Sequence, residues 1–206
     1  MYTPRPNLIL AFHGCDQKLR DQLVLHPGTL RASTNSFDWL GSGVYFWEND
    51  PKRAMQWARH LQKHPYSQKH RIRMPAVLGA VISLNNCLDL LDVKAIEQVR
   101  IAHNTLLQAT ELAGNQLPEN EGGKDRRARR LDCAVINYLH QMIKDHHPGF
   151  EDVPPFDSVR AMFPEGQELY PGAGFRKQNH IQICIRNADC IKGLFIPRRP
   201  YGMLVD

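Results

Sequence analysis

The stretch Asp38-Trp39-Leu40-Gly41-Ser42-Gly43-Val44-Tyr45-Phe46-Trp47 constrains this chain more than any other. Gly41 and Gly43 flank a serine and leave the backbone bare, so a flat ligand could lie against it. The β-prone run Val44 to Trp47 follows at once and would hold an aromatic ring at fixed height beside that backbone. Asp50 then reads as an N-cap and Pro51 as the first helical residue. Ala54, Trp57, Ala58 and Leu61 share one face of the helix they start. Loop, strand and helix start in that order build a site, which a generic core does not require.

Upstream, Leu8 to Phe12 is an apolar run ending at His13-Gly14, as expected of a buried strand that opens into a loop. Cys15 to Thr34 shows no clear period, and His26-Pro27-Gly28 marks a turn. Val77 to Leu84 is apolar on both faces and reads as a central strand. From Leu88 to His147 the pattern turns helical. Val99, Ala102, Leu106, Ala109 and Ala113 form one stripe, and Leu131, Val135, Tyr138 and Met142 another. Between them lies a glycine- and charge-rich loop, Pro118 to Arg130. Strands return at Phe156 to Phe163, His180 to Arg186 and Ile191 to Ile196, with Asn187-Ala188-Asp189 reading as a hairpin between the last two. Strands at both ends with helices inserted between them predict an α+β fold in one domain, 1–206, carrying a helical insertion at about 88–147.

In His180 to Arg186 a period of two sends Ile181, Ile183 and Ile185 to one face, and His180, Gln182, Cys184 and Arg186 to the other. The isoleucines are core. Periodicity alone reads the second face as the exposed side of an antiparallel sheet; a polar face on so apolar a strand is also what a cleft requires.

Net charge of +5 and a pI near 9.0 favour polyanions or a phosphate-bearing ligand as partners. Two basic stretches, Lys63 to Arg73 with Tyr66 inside it and Lys124 to Arg130, keep RNA or DNA among the candidates, although such runs usually form solvated faces. Cys15, Cys87, Cys133, Cys184 and Cys190 contain no C-x-x-C pair, and Cys184 and Cys190 read as small core residues. His60 and His64 sit at i, i+4 without a placed third ligand, so a solvated helix end is the expectation and no metal is assigned. No leader precedes Leu8, and no apolar run nears the ~18 residues of a membrane span. A cytoplasmic protein with no membrane association is expected.

Taken together, His13-Gly14, the segment Gly41-Ser42-Gly43-Val44-Tyr45-Phe46 with its capped helix, and the late strand Asn179-His180-Ile181-Gln182 resemble the diphtheria-toxin and poly(ADP-ribose)-polymerase branch of the ADP-ribosyltransferases. That branch carries a His–Tyr–Glu triad, with the tyrosine inside G-x-G-[IV]-Y-F. The resemblance covers most of the chain, with the helical block as an insertion, and implies a split mixed or antiparallel sheet. It implies NAD as co-substrate and cleavage of the bond between nicotinamide and ribose, with positive charge developing on the sugar as in glycoside hydrolysis. On this resemblance His13 bonds the adenosine-side ribose, Gly14 offers backbone groups to the carboxamide, and Tyr45 stacks on the pyridine ring. Ser42 and Gly43 line the same loop, and Arg31 or Arg53 pairs with the pyrophosphate.

Gln182 stands where that family has glutamate. An amide orients a ribose hydroxyl but takes no proton, and losing a general base costs about 10²- to 10⁴-fold in rate. Glu165 or Glu168, in the loop before the strand, could stand in for the acid, or the acceptor needs no base. The expected function is therefore mono-ADP-ribosyl transfer, a glycosyltransferase-type reaction, by a bacterial toxin or defence effector. Its acceptor would be nucleic acid or protein, and a neutralising antitoxin is a possible partner. The rival is a non-catalytic module that binds NAD or ADP-ribose together with nucleic acid. An RNA 2′-phosphotransferase would need arginines and histidines converging on one phosphate, and the sequence offers no such set.

Overall fold

The computed structural model describes residues 8–26, 28, 30–65, 71–123 and 128–198. The chain begins with β1 (Ile9–Asp16) and α1 (Gln17–Leu25), then forms β2 (Val44–Glu48), α2 (Pro51–Lys63), β3 (Pro75–Ile82) and β4 (Cys87–Asp89). The helical block holds α3 (Val93–Leu112), a two-stranded ribbon of β5 (Asn120–Glu121) and β6 (Ala128–Arg129), and α4 (Arg130–Lys144). Strands β7 (Ser158–Phe163), β8 (His180–Ile185) and β9 (Ile191–Phe195) complete it. One seven-stranded sheet runs in the order β4-β7-β8-β2-β1-β3-β9. Its neighbours are antiparallel except β4 and β7, which run parallel at one edge. The fold is α+β.

Local chemistry accounts for the element ends. Asp50 accepts from the Arg53 amide at 2.8 Å and Pro51 opens α2, as the sequence predicts. Asp16 caps α1 through Lys18 N at 3.0 Å and also accepts from the amides of Arg73 and Met74, which ties α1 to the start of β3. Helix α1 has no legible apolar period because only Leu23 is buried on it.

Alternation divides the core between the two sheet faces. One face carries Ala11, Val44, Phe46, Ala80, Ile82, Ile183 and Ile185, with Cys15, Leu23 and Leu78 beside them under α1. The other carries Phe12, Trp47 and Val77, which meet Ala54 of α2, and Val159, Ala161 and Cys184, which with Leu40 pack under the helical block. Helix α4 supplies most of that last cover through Val135, Ile136, Leu139, Met142 and Ile143. The predicted α3 stripe packs at Ala102, Val99 and Leu106, whereas Ala109 and Ala113 are exposed.

Three expectations are corrected. Asn187-Ala188-Asp189 does not turn a hairpin, because β9 pairs with β3 at the far edge while β8 sits between β7 and β2. The connection is a short 3-10 turn, Ala188–Cys190, leading across the sheet. The His180 face of β8 is no exposed surface either: His180 is 7% and Cys184 0% exposed, because Cys184 meets the helical block and His180 packs against Phe163 and Trp47. The helical block also starts later than 88, since Leu88 lies within β4. Pro27, Tyr66 and Lys124 to Arg127 lie outside the described residues, and with them parts of the predicted turn and of both basic stretches.

Candidate functional site

Strand β1 pairs with β3 along its whole length, from Ile9↔Ile82 to Asp16↔Pro75. Its pairing with β2 is confined to Ala11↔Glu48 and Phe12↔Trp47. Beyond that point Tyr45 and Val44 continue pairing with Cys184 and Ile185 of β8, while His13 to Asp16 stay with β3. The sheet parts between His13-Gly14 and Tyr45. One side chain bridges the gap: His13 Nδ1 lies 2.8 Å from the Tyr45 carbonyl, which can only accept, so Nδ1 carries the hydrogen. The His13 ring rests beside Phe46, with centroids 5.7 Å apart. Burial holds His13 below the ordinary imidazole range despite that hydrogen bond.

Tyr45 emerges on the opposite face from Phe46. Its hydroxyl donates to Gly41 O at 2.7 Å and accepts from Leu40 N at 3.0 Å, closing the glycine loop back on the strand. Burial raises its pKa far above the phenol range, so the hydroxyl stays protonated. Ser33 and Gly43 exchange backbone bonds of 2.8 and 3.0 Å, while the Ser42 amide donates to Asn137 Oδ1 at 3.0 Å and Arg186 donates to Ser42 O at 2.9 Å.

The glycines do different work from that expected. A Cβ at Gly14 would stand 2.1 Å from Ala54 O, so α2 crosses directly over β1 there. A Cβ at Gly43 would meet Cys184 Sγ at 2.4 Å and Ile185 O at 2.6 Å. Close packing explains both residues, and the faces read as bare backbone are covered. At Gly41 the backbone itself requires glycine, with φ +78°.

Gln182 lies one strand away, opposite Trp47 of β2 and Ala161 of β7. Its Oε1 accepts from Trp39 Nε1 at 2.5 Å, so the residue before Leu40-Gly41 reaches across to the late strand. Trp39 also meets Phe163 edge-on at 4.9 Å, and the Arg129 guanidinium sits 4.6 Å over the Phe163 ring. At the other end of the strip His180 stacks on Phe163 at 5.5 Å and adjoins Trp47 at 6.2 Å. Arg53 forms an ion pair with Glu165, whose carboxylate also lies 3.8 Å from His180 Nδ1. Arg53 NH1 donates to Gln56 Oε1 at 2.6 Å.

The structure thus gathers Tyr45, Gln182, Arg53 and Glu165 along one sheet face, between the cluster under α2 and that under α4. His13 adjoins the parting from the other face. Arg31 is exposed, just before the Ser33–Gly43 bridge. Sequence reasoning did not place Trp39 against Gln182, nor Phe163 and Arg129 against Trp39. It did put His180 on the Gln182 side of β8, through the alternation of that strand.

Buried polar atoms without a partner concentrate along the strip, the exception being His140 Nε2 on α4. Trp47 Nε1, Arg53 Nε, Asn179 Oδ1 and His180 Nε2 are buried with no hydrogen-bond partner among the described residues. Such orphans are rare in folded proteins and call for a ligand, a water or a mobile cover.

No family model matches the chain, and no solved structure matches it. The chain is similar to the uncharacterized protein MJ0359 of Methanocaldococcus jannaschii, with 25% identity over 89% of this chain and 84% of that protein.

Proposed function

We propose that the protein is an NAD-dependent mono-ADP-ribosyltransferase on an ADP-ribosyltransferase-like split sheet, acting as a toxin or defence effector. The observation that carries the reading is the parting of β1 from β2 between His13-Gly14 and Tyr45, with Gln182 on the next strand. The motif residues quoted for the family resemblance flank this gap although they are far apart in sequence. A dinucleotide entering it would meet Tyr45 beside the pyridine ring and His13 towards the adenosine ribose. Gln182 would bond a hydroxyl of the nicotinamide ribose.

The chemistry asked of the protein is modest. The pyridinium already leaves as a neutral base, so the site must orient the sugar and tolerate its developing positive charge. The Trp39 bond fixes the Gln182 carbonyl oxygen and leaves its amide hydrogens for a hydroxyl acceptor. Arg53 is the better candidate for the pyrophosphate, because it lies on this face, and Glu165 would be displaced from it by the incoming phosphates. The acceptor is a protein or nucleic acid, and an antitoxin is a fitting partner for such an effector.

The Trp39–Gln182 bond also gives the rival reading its footing, since an amide whose oxygen is already engaged and which takes no proton suits a module that binds NAD or ADP-ribose without turnover. Incubation with NAD labelled in the adenylate half separates the two. Transfer predicts nicotinamide release and labelled macromolecule, both abolished by Tyr45→Ala. Binding in calorimetry with neither product supports the module, and no binding at all defeats both.

A further inference from the structure

The positive charge of this chain is concentrated in one place. Between Asp50 and Asp89 the sequence holds seven lysines and arginines, three histidines and no aspartate or glutamate, so that stretch alone exceeds the net +5 of the whole chain. Helix α2 supplies Lys52, Arg53, Arg59 and Lys63 of these. A helix charged for its own stability carries acids in its first turn and bases in its last. In α2 the first turn holds Lys52 and Arg53 and no acid, so this charge opposes the helix dipole rather than serving it.

The fold gathers the cations on one face. Ala54 and Ala58 are fully buried where α2 crosses β1 at Gly14. At about 3.6 residues per turn, Lys52, Gln56, Arg59, His60 and Lys63 all lie within about 60° of the opposite direction. Lys52, His60 and Lys63 are exposed, and Gln56 and Arg59 are half-buried. Gln62 Nε2 donates to Arg73 O at 2.8 Å, which lays the exposed residues Arg71 and Arg73 alongside the helix. The acids at the rim are turned elsewhere. Asp50 accepts from the Arg53 amide, Asp16 from the amides of Lys18, Arg73 and Met74, and Glu165 pairs with Arg53.

A row of rings borders the basic face. Trp57 adjoins Trp47 at 6.1 Å and stacks on His60 at 5.6 Å, and His60 adjoins His64 at 4.9 Å. The row leads from the cluster under α2 out to solvent at the exposed His64. Rings beside cations are the two halves of single-strand recognition, since bases stack on the rings while phosphates meet the lysines and arginines. A duplex keeps its bases stacked on one another and has no use for the rings. A lipid surface calls for apolar side chains that insert, and α2 presents no exposed large hydrophobic residue among the described residues.

We propose that the outward face of α2, with Arg71 and Arg73 beside it and Trp57, His60 and His64 along its edge, binds single-stranded nucleic acid. The surface stands whether or not the gap between β1 and β2 takes NAD. Where both hold, it selects nucleic acid over protein as the acceptor.

The test follows the fluorescence anisotropy of labelled oligothymidine and oligouridine with the full chain across a range of salt concentrations. One phosphate for each of Lys52, Arg59, Lys63, Arg71 and Arg73 predicts a log–log salt slope of about −3.5. The triple variant Lys52→Ala, Arg59→Ala, Lys63→Ala brings the slope to about −1.4. His64→Ala leaves the slope in place and weakens binding by about 5-fold or more through lost stacking. Should the triple variant fail to fold, Lys63→Gln decides, by reducing the steepness of the slope by about 0.7. Tighter binding of one oligomer identifies DNA or RNA as the source and supports the surface either way. Equal affinity for duplex DNA or for vesicles containing phosphatidylserine, or slopes unmoved in the variants, overturns it. So does the absence of binding to either oligomer at low salt, while calorimetry with NAD reports separately on the gap between β1 and β2.

Discussion

Arg160 offers the sharpest test of how this sheet is held in register. It lies on β7 opposite Ile183 of β8, so its side chain must cross β8 to reach β2. There its Nε donates to Glu48 Oε2 at 2.6 Å and NH2 to Glu48 Oε1 at 3.1 Å, while NH1 donates to Asp89 Oδ2 of β4 at 3.1 Å. The Arg160 side chain is 6% exposed, and those of Glu48 and Asp89 are 17% and 18% exposed. Arg160→Met keeps the stem and deletes the charge, leaving two largely buried carboxylates uncompensated. Breaking such a pair costs about 3–5 kcal/mol. The residual exposure of both carboxylates lets water reach them, which favours the lower end of that range. For a chain of this size the loss corresponds to a melting-temperature drop of roughly 6–20 °C. Chemical denaturation with a constant m-value measures it directly. The triple variant Glu48→Gln, Asp89→Asn, Arg160→Met leaves no charge to bury and regains about half of the loss or more. A single variant within about 1 kcal/mol of wild type would refute the claim that this cluster clamps β4, β7 and β2 across β8.

Other outcomes follow from individual contacts. Gly14→Ala drives a methyl into Ala54 O, so α2 lifts from β1 and stability falls by about 1–3 kcal/mol whether or not NAD is present, measured by thermal melts with and without the dinucleotide. Burial, with the Arg186 charge adding to it, pushes His140 down to about 3 from 6.5. The unfolded chain then takes up a proton that the folded chain refuses, so stability declines as pH falls from 6.5 towards 3, and His140→Phe flattens that decline in denaturant titrations. Trp39→Phe keeps the ring against Phe163 and strands Gln182 Oε1, costing about 1 kcal/mol in denaturation and loosening NAD binding measured by calorimetry.

Much of the architecture was legible because the core strands carry their own periods. Val44 to Trp47, Val77 to Leu84 and the alternating isoleucines of β8 each declared a strand, and Asp50-Pro51 declared a helix start to the residue. The misplaced hairpin shows the limit of local reading. Asn187-Ala188-Asp189 has turn chemistry, yet turn residues say nothing about whether two strands become neighbours, and β9 gained more by covering β3. Helix α1 escaped notice because a helix that buries one leucine writes almost no pattern. At the candidate site, motif and alternation singled out His13, Tyr45 and Gln182. The contacts of Trp39 with Gln182 and with Phe163 escaped notice, because they depend on packing between distant segments. The glycines illustrate an ambiguity that sequence cannot resolve. A missing side chain serves a ligand and a crossing helix equally well, and at Gly14 and Gly43 the space goes to protein atoms.

The central claim places NAD in the gap between β1 and β2. A crystal structure of the full chain with NAD tests it most directly. The account predicts the pyridine ring against Tyr45 and a nicotinamide-ribose hydroxyl within hydrogen-bond distance of Gln182. The dinucleotide bound at another surface, with the gap still closed, would contradict it.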